Sequence, residues 1–288
     1  MNRMPGNRGI SQNRYIDIIK WVFRQNFQDG SNEVSFSRAQ LGEAARDLGI
    51  QVPKNLGDVV YSIRYRTDIP AEIDNLAPTG MTWALFPAGR SVYAFRPVAV
   101  NQIEPRSGLA RIKVPESTPG LISRYSMSDE QALLAKVRYN RLLDIFTGMA
   151  CYSLQNHFRT SIEIPGSDGA NSSSSQVETD EVYVGIDRHG SHYILPVQAK
   201  GGTDRLSVVQ IWQDFRVAEQ KFGNLTSRPI ATQFLDDRSI VLFEFSESGN
   251  QISIARERHY SLIPPEQLSD QDLEEYRVAA SGARRFTQ

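Results

Sequence analysis

Two extended runs meet around Arg188-His189-Gly190. Val177–Asp187 (VETDEVYVGID) leads into that turn and Ser191–Lys200 (SHYILPVQAK) leads out of it. A short turn between two such runs makes an antiparallel pair. With the turn centred on His189, Asp180 and Gln198 are each nine positions away and stand opposite one another. Opposed residues share a face, with Cβ atoms about 4.5–5.5 Å apart. Alternation puts Lys200 on the face of Gln198 and Ala199 on the other. It also puts Glu178 beside Asp180, opposite Lys200. The rest of the chain must fold around a ribbon that gathers these four side chains at one end.

The flanking segments read as helices and strands in a definite order. Ser128-Asp-Glu-Gln131 has capping-box spacing and opens a helix to about Thr147, with Leu133, Leu134, Val137, Leu142, Leu143 and Phe146 on one side and Gly148 as its stop. Arg159–Pro165 is a first strand, ahead of the ribbon. Pro165–Gln176, with four consecutive serines, reads as a mobile loop between strands. Leu206–Phe222 is an amphipathic helix. Pro229–Leu235, Ser239–Phe245 and about Gln251–Ala255 are further strands, and Ser269 to about Ala280 is a polar helix. A helix, three strands, a helix and more strands predict an α/β (α+β) domain over 121–288 with a mixed sheet and helices on its faces.

Residues 10–100 form a smaller unit. Tyr15–Phe27 places Ile16, Ile19, Phe23 and Phe27 on one helical face. Val34–Phe36 is a short extended piece. Ser37-Arg-Ala-Gln40 caps a helix that stops near Gly49, and Pro53 opens a third helix over about Lys54–Tyr65. A hairpin of Thr82–Phe86 and Ser91–Arg96 turns at Pro87–Arg90. This is the order of a winged helix-turn-helix. Lys54, Asn55, Arg64 and Arg66 on or beside the third helix, and Arg90 at the hairpin tip, are groove-reading and phosphate-contacting types, so double-stranded DNA is the expected partner. A solvated helix face that binds protein is the competing reading. Asn101–Gly120, rich in Pro, Gly and charge, reads as the linker between the two units.

Composition closes other routes. Lys and Arg total 32 against 33 Asp and Glu, so any nucleic-acid surface is a local patch. The only cysteine is Cys151, which excludes an intrachain disulfide and a multi-cysteine zinc site and suits a reducing cytosol. His157, His189, His192 and His259 show no metalloprotease spacing. His189 and His192 are expected at an exposed turn, and Trp212 in the core. The polar start and the lack of an apolar run near membrane length predict no membrane partner.

The ribbon end suits a hard divalent cation. Mg²⁺ takes oxygen ligands, typically one or two carboxylates plus phosphate and water. Asp180 offers a carboxylate, Gln198 an amide oxygen and Ala199 a backbone carbonyl. A metal and a lysine together can position a water, lower its pKa and offset charge on a phosphate in attack. An ion pair of Asp180 and Lys200 at a sheet end is the plainer alternative.

A helix, a hairpin bearing an acid, and a strand ending in Gln198-Ala-Lys200 resemble the PD-(D/E)XK nuclease superfamily, which includes many type II restriction endonucleases. The resemblance covers about 125–246. It implies Asp180 as metal-binding aspartate, Gln198 as the variable ligand, Lys200 as catalytic lysine, and Glu130 as the extra acid some members carry in the preceding helix. It also implies a Mg²⁺-dependent endonuclease in a bacterial or archaeal cytoplasm, acting as a homodimer on a palindrome. Two departures stand out. Gln198 replaces the commoner acid, so either Glu178, Glu181 or Glu130 supplies a second negative charge or the metal is bound weakly. Some relatives carry Gln-x-x-x-Tyr on the next helix, whereas this chain has Gln210 and then Asp214. The rival readings are a DNA-binding regulator without catalysis and a repair or structure-specific nuclease.

Overall fold

The computed structural model describes residues 8–125, 130–165, 172–201, 205–235, 239–249 and 251–283. The N-terminal unit runs α1 (Arg8–Asn26), β1 (Val34–Ser37), α2 (Arg38–Asp47), α3 (Gly57–Tyr65), a single turn α4 (Ala71–Asp74), then β2 (Thr82–Gly89) and β3 (Val92–Val98). Its three strands lie in the order β1-β3-β2, all antiparallel. The Gln40 side chain accepts the Ser37 N–H at 2.9 Å, as the capping spacing requires. Ile19, Phe23, Leu41, Ile63, Trp83 and Phe95 close the core, with Phe23 meeting both Trp83 and Phe95 edge-on.

The second unit is a mixed α+β assembly. Its elements are β4 (Gln102–Ile103), β5 (Arg111–Pro115), α5 (Gly120–Tyr125), α6 (Glu130–Tyr139), α7 (Leu142–Thr147), β6 (Ala150–Pro165), β7 (Ser172–Ile186), β8 (His192–Lys200) and β9 (Leu206–Ser207). There follow α8 (Val208–Lys221), β10 (Thr226–Ser227), β11 (Ile230–Phe234), β12 (Ser239–Ser248), β13 (Gln251–Ile263) and α9 (Asp270–Ala283). One large sheet has the order β5-β13-β12-β11-β8-β7-β6, with β10 alongside β8. The β6-β7-β8 meander is antiparallel, β11 joins β8 in parallel, and β5 joins β13 in parallel. Helices α6 and α7 cover one face through Leu133, Val137, Leu143 and Phe146. Helix α8 covers the other through Val209 and Ile211. Among the described residues no helix is long and apolar enough to cross a membrane.

Several sequence expectations need correction. The stretch 101–120 is not a free linker. It supplies β4, which pairs with β9, and β5, the outer strand of the large sheet. Glu257, buried on β13, holds it by accepting from Arg106 N at 2.8 Å and Arg106 Nε at 2.7 Å. The serine run is not a loop either: residues 172–176 pair with Ser161–Pro165 in a long β6–β7 ribbon, and 166–171, the rest of the expected loop, lie outside the described residues. Backbone pairing, not side-chain apolarity, extends that ribbon, so composition hides it. The helix expected over 128–147 is broken in two at Arg141 (φ 50°), and Gly148 (φ 72°) ends its second half. Its capping serine, Ser128, lies outside the described residues.

The two units share a core. Ala84 and Phe86 of β2 pack with Val209, Ala231, Val241 and Phe243, and Phe86 meets Trp212 edge-on. Asp68, just after α3, pairs with Arg205, which also donates to Gln102 at 2.8 Å. These contacts bring the end of α3 to the strand end that carries Lys200.

Candidate active site

The ribbon register is as the sequence predicts. Ile186 stands opposite His192 and Glu181 opposite Val197, which is the pairing centred on His189. Asp187 shapes the turn by accepting the His189 and Ser191 N–H groups. His189 and His192 are exposed there.

The β7–β8 ladder stops at Glu181–Val197, although both strands continue. The strands splay here, and side chains take over the freed backbone groups. Asp180 Oδ2 accepts from Ala199 N at 2.8 Å, and Gln198 Nε2 donates to Glu178 O at 3.3 Å. Alternation also slips at this point. Val182 packs toward Ala218 of α8, yet Thr179, three residues earlier, also reaches α8. Glu178 therefore does not face Lys200. It is exposed and bonds Arg159 Nε at 3.1 Å and His157 Nδ1 at 3.3 Å on β6. Those partners hold its carboxyl below the usual range, Arg159 foremost.

Lys200 ends β8, in register with Gln233 of β11. Its Nζ lies 2.8 Å from Glu130 Oε1 at the start of α6. The implied helper acid thus reaches the lysine. Asp180, half-buried, sits within electrostatic reach of Lys200, Glu130 and Glu178. Burial pushes its carboxyl up and the two neighbouring acids add to this, while the Ala199 N–H and Lys200 oppose it. Glu181, a third option for the second acid, is spent elsewhere: it is buried against Arg138 at 2.6 Å and bonds Ser153.

Gln198 is pinned from behind. Its Nε2 donates to Asp214 Oδ1 at 3.0 Å, and its Oε1 lies 3.4 Å from Gln210 Nε2. Gln210 also accepts from the backbone N of Ser207, the residue that caps α8, so it faces the site one turn into that helix. Asp214 is buried, accepts from Thr179 Oγ1 at 2.6 Å, and its Oδ2 has no partner among the described residues. Burial pushes its carboxyl up to about 8. The sequence signals Asp214 only as a departure from a tyrosine; its place behind Gln198 needs the α8 packing.

Among the described residues no three His, Cys, Asp or Glu side chains are arranged to hold a metal ion. The candidate donor set holds one carboxylate of its own, Asp180, with the Gln198 amide and Ala199 beside it. Asp180 offers a carboxylate oxygen of the kind a hard cation takes, while Glu130 is paired with Lys200 and Glu178 with Arg159 and His157. Gln198 fits less well, because its amide is already engaged on three sides.

The DNA-contact candidates divide. Lys54, Arg66 and Arg90 are exposed, with Arg66 lying 4.9 Å over the Tyr61 ring. Helix α3 starts at Gly57, so Lys54 and Asn55 precede it. Asn55 shapes that start by accepting Gly57 N and donating to Asp58. Arg64 is a correction: it turns inward, donates through Nε to Leu85 O at 2.6 Å and lies 5.4 Å over the Tyr93 ring. The neighbouring Tyr65 phenol, raised by burial, lies within electrostatic reach of Lys200. Arg64→Ala is expected to cost about 1–3 kcal/mol of stability by chemical denaturation, and Arg90→Ala, at an exposed position, to leave stability nearly unchanged.

Compared with protein-family models, curated proteins and solved structures, the chain matches none.

Proposed function

We propose that this chain is a Mg²⁺-dependent endonuclease that hydrolyses phosphodiester bonds of double-stranded DNA, in the manner of a type II restriction enzyme of the PD-(D/E)XK kind. The observation that carries the reading is the meeting of Asp180, Lys200 and Glu130 where β7 and β8 splay. Backbone groups at this opening are satisfied by side chains, so the acid and the lysine are held by the sheet and not by a loop. Asp180, with the Gln198 amide and the Ala199 carbonyl beside it, would hold the cation. A bound divalent ion supplies a water of lowered pKa and charge to offset a phosphate. Lys200 holds the attacked phosphate or water through its ammonium, and Glu130 orients that ammonium. Asp214, Gln210 and Thr179 position Gln198 from the helix side.

The helix–strand–helix–helix–hairpin order of the N-terminal unit supports a winged helix, which adds duplex contacts through Lys54, Arg66 and Arg90. Cutting both strands of a palindrome takes two sites, so the working form is a homodimer. Incubation of purified protein with supercoiled plasmid, in Mg²⁺ and in EDTA, tests the reading. Discrete linear fragments in Mg²⁺ alone support it. Plasmid left intact with Mg²⁺ and Mn²⁺ contradicts it and favours the second reading, a DNA-binding regulator in which Lys200–Glu130 is only an ion pair. The engaged amide of Gln198 is the observation on that side.

A further inference from the structure

A shallow polar depression lies on the β6–β7 ribbon next to Asp180. It is lined by Arg159, Thr160, Ser161, Gln176, Val177 and Glu178. We infer that this depression, with His157 at its rim, seats a backbone phosphate of the DNA flanking the cleaved bond. The inference rests on the nuclease reading and adds a substrate contact to it.

Phe158 pairs with Thr179 and Asn156 with Glu181, so His157 falls opposite Asp180 on the neighbouring strand. Arg159 pairs with Glu178, Thr160 with Val177 and Ser161 with Gln176, so the depression runs along the ribbon directly away from Asp180. A strand of duplex whose reacting phosphate sits at Asp180 lays an adjoining phosphate along that line.

The chemistry of the lining suits a phosphodiester. Arg159 has 76% of its side chain exposed and contacts Glu178 through Nε, the inner nitrogen of its fork. Guanidinium, hydroxyl and amide donors are the groups that contact DNA backbone most often. Glu178 orients rather than reacts: one oxygen holds Arg159 and the other His157.

The backbone at His157 marks the same place. It has φ 48°, one of three non-glycine residues at positive φ in the described chain, and it lies within a strand. Such a conformation is costly and persists where surroundings hold it, most often at functional sites. Here it turns the ring between Glu178 and Gln131, with Nε2 lying 3.1 Å from Gln131 Nε2 at the start of α6. The ring therefore bridges the ribbon and the helix that bears Glu130.

The test is duplex binding by the full chain in EDTA, measured by anisotropy of a labelled oligonucleotide over a range of NaCl. Arg159→Ala is expected to weaken binding about tenfold and lower the log–log salt slope by about 1. His157→Asn tolerates the same backbone and removes the ring; it is expected to weaken binding several-fold with an unchanged melting temperature. Arg159→Lys should recover most of the slope and part of the affinity. Unchanged affinity and slope in Arg159→Ala and His157→Asn, with wild-type plasmid cleavage, overturn the phosphate seat and leave the nuclease reading standing. A wild-type chain that neither binds nor cuts duplex overturns both.

Discussion

Lys200→Ala is expected to lower duplex cleavage about 10³-fold or more while leaving duplex affinity nearly unchanged. Removing a positioned charge or proton-handling group from a phosphoryl or acyl transfer site costs about 10²–10⁴ in rate. Lys200 ends β8 beside the opening between β7 and β8, and its backbone is held on one side by pairing with Gln233 of β11. Its loss removes the ammonium that the proposed mechanism sets against the scissile phosphate and takes a partner from the Glu130 carboxylate, so the site becomes more negative. On the proposed reading, duplex affinity resides mainly in the exposed cations Lys54, Arg66, Arg90 and Arg159, which the substitution does not touch. Arginine is a demanding control, since its planar fork does not reproduce a compact ammonium; Lys200→Arg should recover little. Measured single-turnover rates and binding constants decide the matter. Equal rates for wild type and Lys200→Ala reduce the lysine to a partner of Glu130.

The second large effect is expected at Asp214. Asp214→Ala strips the acceptor from two buried donors, Thr179 Oγ1 and Gln198 Nε2. An unsatisfied buried polar group costs about 1–3 kcal/mol, so the pair together should lose roughly 2–6 kcal/mol. The same change releases Gln198, so cleavage should fall with stability. Asp214→Asn keeps an acceptor for both donors and should retain the fold and most of the rate. The carboxyl also makes stability depend on pH. Burial raises it in the folded chain to about 8, against about 3.9 when unfolded. Between those values the unfolded chain releases a proton that the folded chain keeps, so stability falls as pH rises. The contribution is fully present below about pH 4 and lost by about pH 8. Urea denaturation at pH 5 and pH 8 should show a smaller loss for Asp214→Asn than for wild type; parallel losses would mean that the group does not titrate in this window.

The ribbon was the most readable part of the chain, because a tight turn between two alternating runs leaves one register. That register holds from Ile186–His192 to Glu181–Val197, and the expected Asp180–Gln198 pair falls one step beyond the end of the ladder, where Asp180 accepts from Ala199 N instead. The slip at Asp180 was not readable. Thr179 reaches α8 only because β7 and β8 separate there, and separation is a property of the whole sheet. The length of β6 was hidden for a related reason: Ser153–His157 are exposed on an outer strand and show no apolar alternation. The far half of β13 reads as charged (RERH), yet Glu257 and His259 are buried because Arg106 and the 101–120 segment close over them. Arg64 reads like a phosphate contact. Its inward turn follows from a helix that begins at Gly57 and packs its last turn against β2 and β3. Nothing in the local sequence announces the backbone of His157.

Digestion of unmethylated phage DNA in Mg²⁺, followed by sequencing of the ends, addresses the chemistry most directly when wild type and Asp180→Asn are run side by side. The expected result is a set of wild-type ends sharing one short sequence, absent in EDTA and absent from Asp180→Asn. The same ends from both proteins, or ends that form equally in EDTA, would contradict a cation held at Asp180 and with it the proposed reaction.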